Sequence, residues 1–168
     1  MTTIAPSCWA ASWREATIAI ARRTRQVLMA HPWSLTALNE AQFGPNAARH
    51  FEQSLAATAG AGLSTAGRLE LIAVDDYVAG SALHSIEALT RAEIARTDPE
   101  MVSATIAYWT TQIQPADFPE LTALYETTAT TDEAAAAAPP MTDDALNRQF
   151  EQGLAALLDG LANRLHLP

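Results

Sequence analysis

At 168 residues the chain is long enough for one domain with a sizeable core and too short to argue for two. Hydrophobic residues make up 49% and charged residues 17%, a balance that predicts deep burial and some surface covered by a partner. A net charge of −9 opposes binding to nucleic-acid phosphates, and the lone cysteine, Cys8, excludes an intrachain disulfide and a Cys-based zinc site.

No basic leader followed by an apolar run opens the chain, and no stretch reaches about 18 uninterrupted apolar residues, so a soluble, cytoplasmic protein off the membrane is expected. Residues 1–12 read as a flexible segment, and residues 13–168 as the domain. Ser12 and Glu15 form a capping-box pattern that opens a helix running to about Ala30. Trp13, Ala16, Ile20 and Val27 share a face of that helix, and Pro32 stops it. Arg22, Arg23 and Arg25 gather towards its C-terminal end, where the spacing predicts that they offset the helix dipole. A short second helix follows, about Trp33 to Ala41. Gly44 breaks it, and Pro45 opens a third helix at the position where a missing N–H costs nothing. Gly60-Ala61-Gly62 ends that one.

Ser64 caps a long fourth helix predicted to reach about Arg96, apolar on more than one side: Leu69, Ile72 and Leu83 on one, Leu71, Val74, Val78 and Leu89 on another. Asp98-Pro99 opens a fifth helix, to about Ile113, and a shorter sixth runs from about Pro119 to Thr128. The low-complexity stretch at 130–141 reads as a loop. Thr142 or Asp143 then caps a last helix to about His166, with a broad leucine stripe and with Gly153 and Gly160 at its edge, where another backbone could approach. No strand and no fixed-period repeat is visible. The fold class is all-α, with about seven helices.

Several of these stretches, in this order, resemble the C-terminal ligand-binding and dimerisation domain of TetR-type transcriptional regulators. They are "WREA" at Trp13 to Ala16, "HPW" at His31 to Trp33, "GPN" at Gly44 to Asn46 and "GAGL" at Gly60 to Leu63. Further along come "DDYVAGSAL" at Asp75 to Leu83, Phe118-Pro119-Glu120-Leu121, and "FEQGLAALLDGL" at Phe150 to Leu161. The resemblance implies that the first four helices enclose a mostly apolar cavity, lined or gated by the aromatics at the breaks. It also implies a homodimer through helices about 65–96 and 142–166, paired as a four-helix bundle. Complete regulators begin with a helix-turn-helix domain. Here twelve residues precede the first helix, so this chain alone is expected to bind no operator.

The ligand-contact residues expected on this basis are Trp13, Trp33, Phe43, His50, Phe51, Tyr77, His84 and Trp109. Plain core packing is the alternative for each aromatic, and as a group they point to a pocket only through the resemblance. Asp76, Tyr77, Gly80, His84 and Glu87 share one side of the fourth helix, where they would meet a ligand's polar atoms, an internal network, or groups across a dimer. His84 and Glu87 alone are too few to hold a metal, and neither a metal nor a cofactor is expected. A hydrophobic small-molecule binder is the reading favoured. The alternative is a repurposed pocket acting as a cyclase or isomerase on a polyene or polyketide-like compound, with Asp76, His84 or Glu87 as its acid or base. A third reading is a domain whose cavity has filled and whose dimer surface alone survives.

Overall fold

Local signals in the sequence place most of the helix ends. The computed structural model describes residues 12–35, 44–112, 117–120, 122–123 and 142–167, without the side chains of 109 and 110, and among them the chain is helical with no strand. The first helix, α1 (Trp13–Ala30), starts on the Ser12–Glu15 capping box: the Glu15 carboxylate accepts from the Ser12 N–H at 2.9 Å, and the Ser12 hydroxyl oxygen accepts from the Glu15 N–H at 3.4 Å. Pro45 opens α2 (Pro45–Ala57), which is followed by a 3₁₀ turn at Ala59–Ala61 and by Gly62 at φ 69°, a left-handed conformation that glycine adopts without strain.

The predicted long fourth helix is two helices. Ser64 caps α3 (Thr65–Glu70), accepting from the Gly67 N–H, and α4 (Ala73–Thr97) begins after Leu71 and Ile72. Between them the N–H groups of Ile72, Val74 and Asp75 bond three residues back, at 2.8–3.1 Å, so the chain tightens and turns. The turn buries Leu71 and leaves Leu69 47% exposed. No glycine or proline marks this break, so periodicity alone runs through it. The second helix beyond Leu35, the sixth beyond Ala123, the 130–141 loop and the N-terminal eleven residues lie outside the described residues.

The chain divides into two compact units, residues 1–86 with 147–168, and residues 87–146. The first is built on α1, the start of α4 and most of α6 (Asp143–Leu165). Its core joins Trp13, Ala21 and Leu28 of α1 to Val74, Val78 and Ala82 of α4 and to Phe150, Leu154, Leu158 and Leu161 of α6. Trp13 therefore packs in the core, and Val27, expected on the buried face of α1, is 39% exposed.

The arginines of α1 do not sit at its C-terminus, whose last turn carries no basic residue. Arg22 and Arg25, three apart, face α6 instead. Arg22 grips the Glu151 carboxylate through two 2.8 Å bonds and holds that carboxyl below its ordinary range. Arg25 is buried, donates to the Asn147 side-chain carbonyl at 2.7 Å and to the Ser85 hydroxyl at 3.0 Å, and lies 4.9 Å from the Phe150 ring centroid.

In the second unit, Glu87–Arg91 and Glu93–Arg96 ion pairs lie along the end of α4. Asp98 accepts from the Met101 N–H to cap α5 (Pro99–Gln112), and Thr142 caps the start of α6 by accepting from the Ala145 N–H.

Gly153 meets a side chain where the sequence had suggested a backbone. A Cβ there would run into the Tyr77 hydroxyl, which donates to the Phe150 carbonyl at 2.9 Å while the Tyr77 ring stacks on Phe150. Alanine at an open helical site gains about 1 kcal/mol over glycine. At this site the clash wins, and Gly153→Ala is expected to lower unfolding free energy by about 1–3 kcal/mol, read by urea denaturation.

Candidate ligand-binding site

A narrow cleft opens where α1, α2 and the α3–α4 junction meet. Its apolar walls are Ile20 and Ala21 of α1, Phe51 and Leu55 of α2, and Leu71 and Val74 at the junction. Its polar atoms come from Thr17, Ser54, Thr58, Arg68 and Asp75. An apolar slot with a few placed polar groups is the usual composition of a small-molecule site. The free space is about 20 Å³, room for about one water molecule.

The wall formed by α2 is held differently from the others. None of its 13 residues is buried. Polar links add to the partial apolar contacts of Phe51 and Leu55. The His50 Nε2 lies 3.2 Å from one Asp75 carboxylate oxygen, and the Ser54 hydroxyl donates to the other at 3.4 Å. At the far end of α2, Arg68 donates through Nη2 to the Leu55 carbonyl at 2.6 Å and through Nε to the Thr58 hydroxyl at 3.3 Å. Thr58, which is buried, in turn donates to the same Leu55 carbonyl at 2.9 Å. These bonds satisfy acceptors that the end of a helix leaves open.

The residue pattern across these helices is that of a known group of domains. Residues 5–165 match the family model described as "Tetracyclin repressor-like, C-terminal domain". The chain belongs to that family. No curated protein and no solved structure matches it. Tetracyclin repressor-like C-terminal domains are the ligand-binding and dimerisation part of TetR regulators, and the all-α architecture agrees with that assignment.

Of the ligand contacts expected for this TetR-type domain, Phe51 lines the cleft and His50 reaches it through Asp75. Trp13 is in the core, and Trp33 is 71% exposed beside the His31 ring. Tyr77 is a strut between α4 and α6, its phenol pushed above the ordinary value by burial. Asp76, His84 and Glu87 are exposed on α4, with Glu87 3.9 Å from Arg91. Phe43 and the Trp109 side chain lie outside the described residues. Among the described residues no three His, Cys, Asp or Glu side chains cluster as metal ligands, and no helix is long and apolar enough to cross a membrane.

Arg68, Asp75, Ser54 and Thr58 are cleft residues that sequence reasoning did not single out. One signal was available in "TAGRLELIAV": a single cation in an apolar run, one turn after a helix cap, in a chain poor in charge.

The Asp75 carboxylate, by accepting from His50, holds the imidazole above its ordinary value of 6.5, against the opposing pull of partial burial. The stability this pair contributes is thus complete below about pH 6.5 and is lost as pH rises through the elevated folded-state value. Thermal melts taken between about pH 5.5 and 8.5 are expected to show this loss, and Asp75→Asn is expected to flatten it. Parallel profiles for the two proteins would show that the pair contributes nothing.

Proposed function

We propose that this TetR-type domain binds one small, mostly apolar molecule in the cleft, with α2 as the wall that yields. The absence of any buried residue on α2 carries this reading. A shift of α2 uncovers no buried residue of its own and can be followed by the His50 and Arg68 side chains that tie it, whereas moving α1, α4 or α6 would expose the core. Elements with little buried apolar surface are the ones that open most readily. The cleft holds about 20 Å³ of free space, so a ligand would enter as α2 shifts outward and would cover Phe51, Leu55 and Ile20 with its own apolar surface.

Homodimerisation through residues about 65–96 and 142–166 belongs to the same reading, supported by Leu69 and Leu83, each 47% exposed on that stretch. A negatively charged chain makes the small molecule, and not nucleic acid, the partner proposed for these residues. Nothing favours the cyclase or isomerase alternative, because Asp76, His84 and Glu87 are exposed and none of them lines the cleft.

Titration with the neutral fluorophore N-phenyl-1-naphthylamine is expected to saturate at about one molecule per chain, and Ile20→Trp, which fills the cleft, is expected to weaken it about tenfold or more. Non-saturating fluorescence, or binding that Ile20→Trp leaves unchanged, would overturn the reading. Sedimentation is expected to give a dimer for the unaltered chain and a monomer for Leu83→Glu; a dimer in both places the interface elsewhere.

A further inference from the structure

We infer that the cleft selects apolar molecules carrying a single carboxylate, received by Arg68; this rests on the ligand-binding reading above and names the ligand class. Two charged side chains line the cleft, Arg68 and Asp75, and they stand in opposite conditions. Both oxygens of Asp75 are engaged, one by His50 and the other by Ser54. Arg68 meets only neutral acceptors, the Leu55 carbonyl and the Thr58 hydroxyl, through Nη2 and Nε. Among the described residues no carboxylate pairs with it and its Nη1 makes no hydrogen bond.

Of the other arginines, Arg23, Arg25 and Arg49 donate to the neutral side chains of Gln26, Asn147 with Ser85, and Asn46, and five find anions. Arg14, Arg22, Arg91, Arg96 and Arg164 each meet an Asp or Glu carboxylate. Those five gain little from pairing at an exposed surface. Arg68 is half-buried against an apolar wall, where a cation gains most from a partner. It is also fixed in place: two of its three nitrogens are tethered to the end of α2, so little side-chain freedom is left to lose when an anion arrives.

The number of charges limits the class. With Asp75 occupied by its own partners, one guanidinium with one open nitrogen neutralises a monoanion. A dianionic phosphate would carry a second, unpaired charge into a slot walled by Ile20, Phe51, Leu55 and Val74. An alkylammonium would meet the Arg68 cation with no open carboxylate to receive it.

Displacement of N-phenyl-1-naphthylamine by decanoate, decanamide and decylammonium, three molecules of one length and three charges, tests this directly. Decanoate is expected to displace the fluorophore at concentrations about tenfold or more below decanamide, with decylammonium weakest. Arg68→Gln is expected to abolish that preference, so that decanoate no longer leads decanamide, and Arg68→Lys to keep part of it. If Arg68→Gln does not fold, the ranking on the unaltered protein decides alone. Equal displacement by all three, or a lead for decanamide or decylammonium, overturns the carboxylate inference and leaves the cleft as a binding site. A chain that takes up neither the fluorophore nor any of the three overturns the binding reading, and this inference with it.

Discussion

Val78, Ala82 and Leu158 have no exposed surface and Leu154 almost none, and the first unit is organised around that seam between α4 and α6. Leucines of α6 fill the space above the small side chains of α4, and α1 closes over both with Trp13, Ala21 and Leu28. Burial on this scale is worth about 1.5–3 kcal/mol for each large apolar side chain, so these three helices are expected to move only as a body. What remains for α2 is an outer position with no buried residue, tied by His50, Ser54 and its carbonyl end. The cleft lies between a wall that belongs to this core and a wall, α2, in which polar links supplement the partial apolar contacts of Phe51 and Leu55.

Arg25 adds a second constraint on the same seam. A buried guanidinium needs acceptors in fixed places, and Ser85 on α4 and Asn147 on α6 provide them. An arginine reaching both helices from α1 tolerates only one register among the three. Apolar contacts could slide by a turn; this set of bonds could not.

Much of this fold was legible in the letters because the signals were local. A capping box at Ser12, proline at the first position of α2 and α5, caps at Ser64, Asp98 and Thr142, and the glycine run after α2 each act within a turn of chain. The break at Leu71 was not legible, since it depends on burying a leucine against helices that are distant in sequence. The same limit governs the site. Aromatics beside prolines draw attention, yet Trp33 stands in solvent and Trp13 in the core, while Arg68 and Asp75 gain their meaning from partners thirteen and twenty-five residues away. A face of Asp76, His84 and Glu87 can be drawn on a helical wheel, but only the packed structure says that this face is turned outward.

The central claim is that a small molecule enters between α1, α2 and the α3–α4 junction. The measurement that tests it most directly is a backbone amide NMR titration of the full chain with N-phenyl-1-naphthylamine. The account predicts that the largest shifts fall at residues 17–21, 50–58 and 68–75, with the amides of α2 broadened as that wall opens and closes. Shifts gathered instead around exposed Leu83 and Ile94, with the residues of the cleft unmoved, would contradict it.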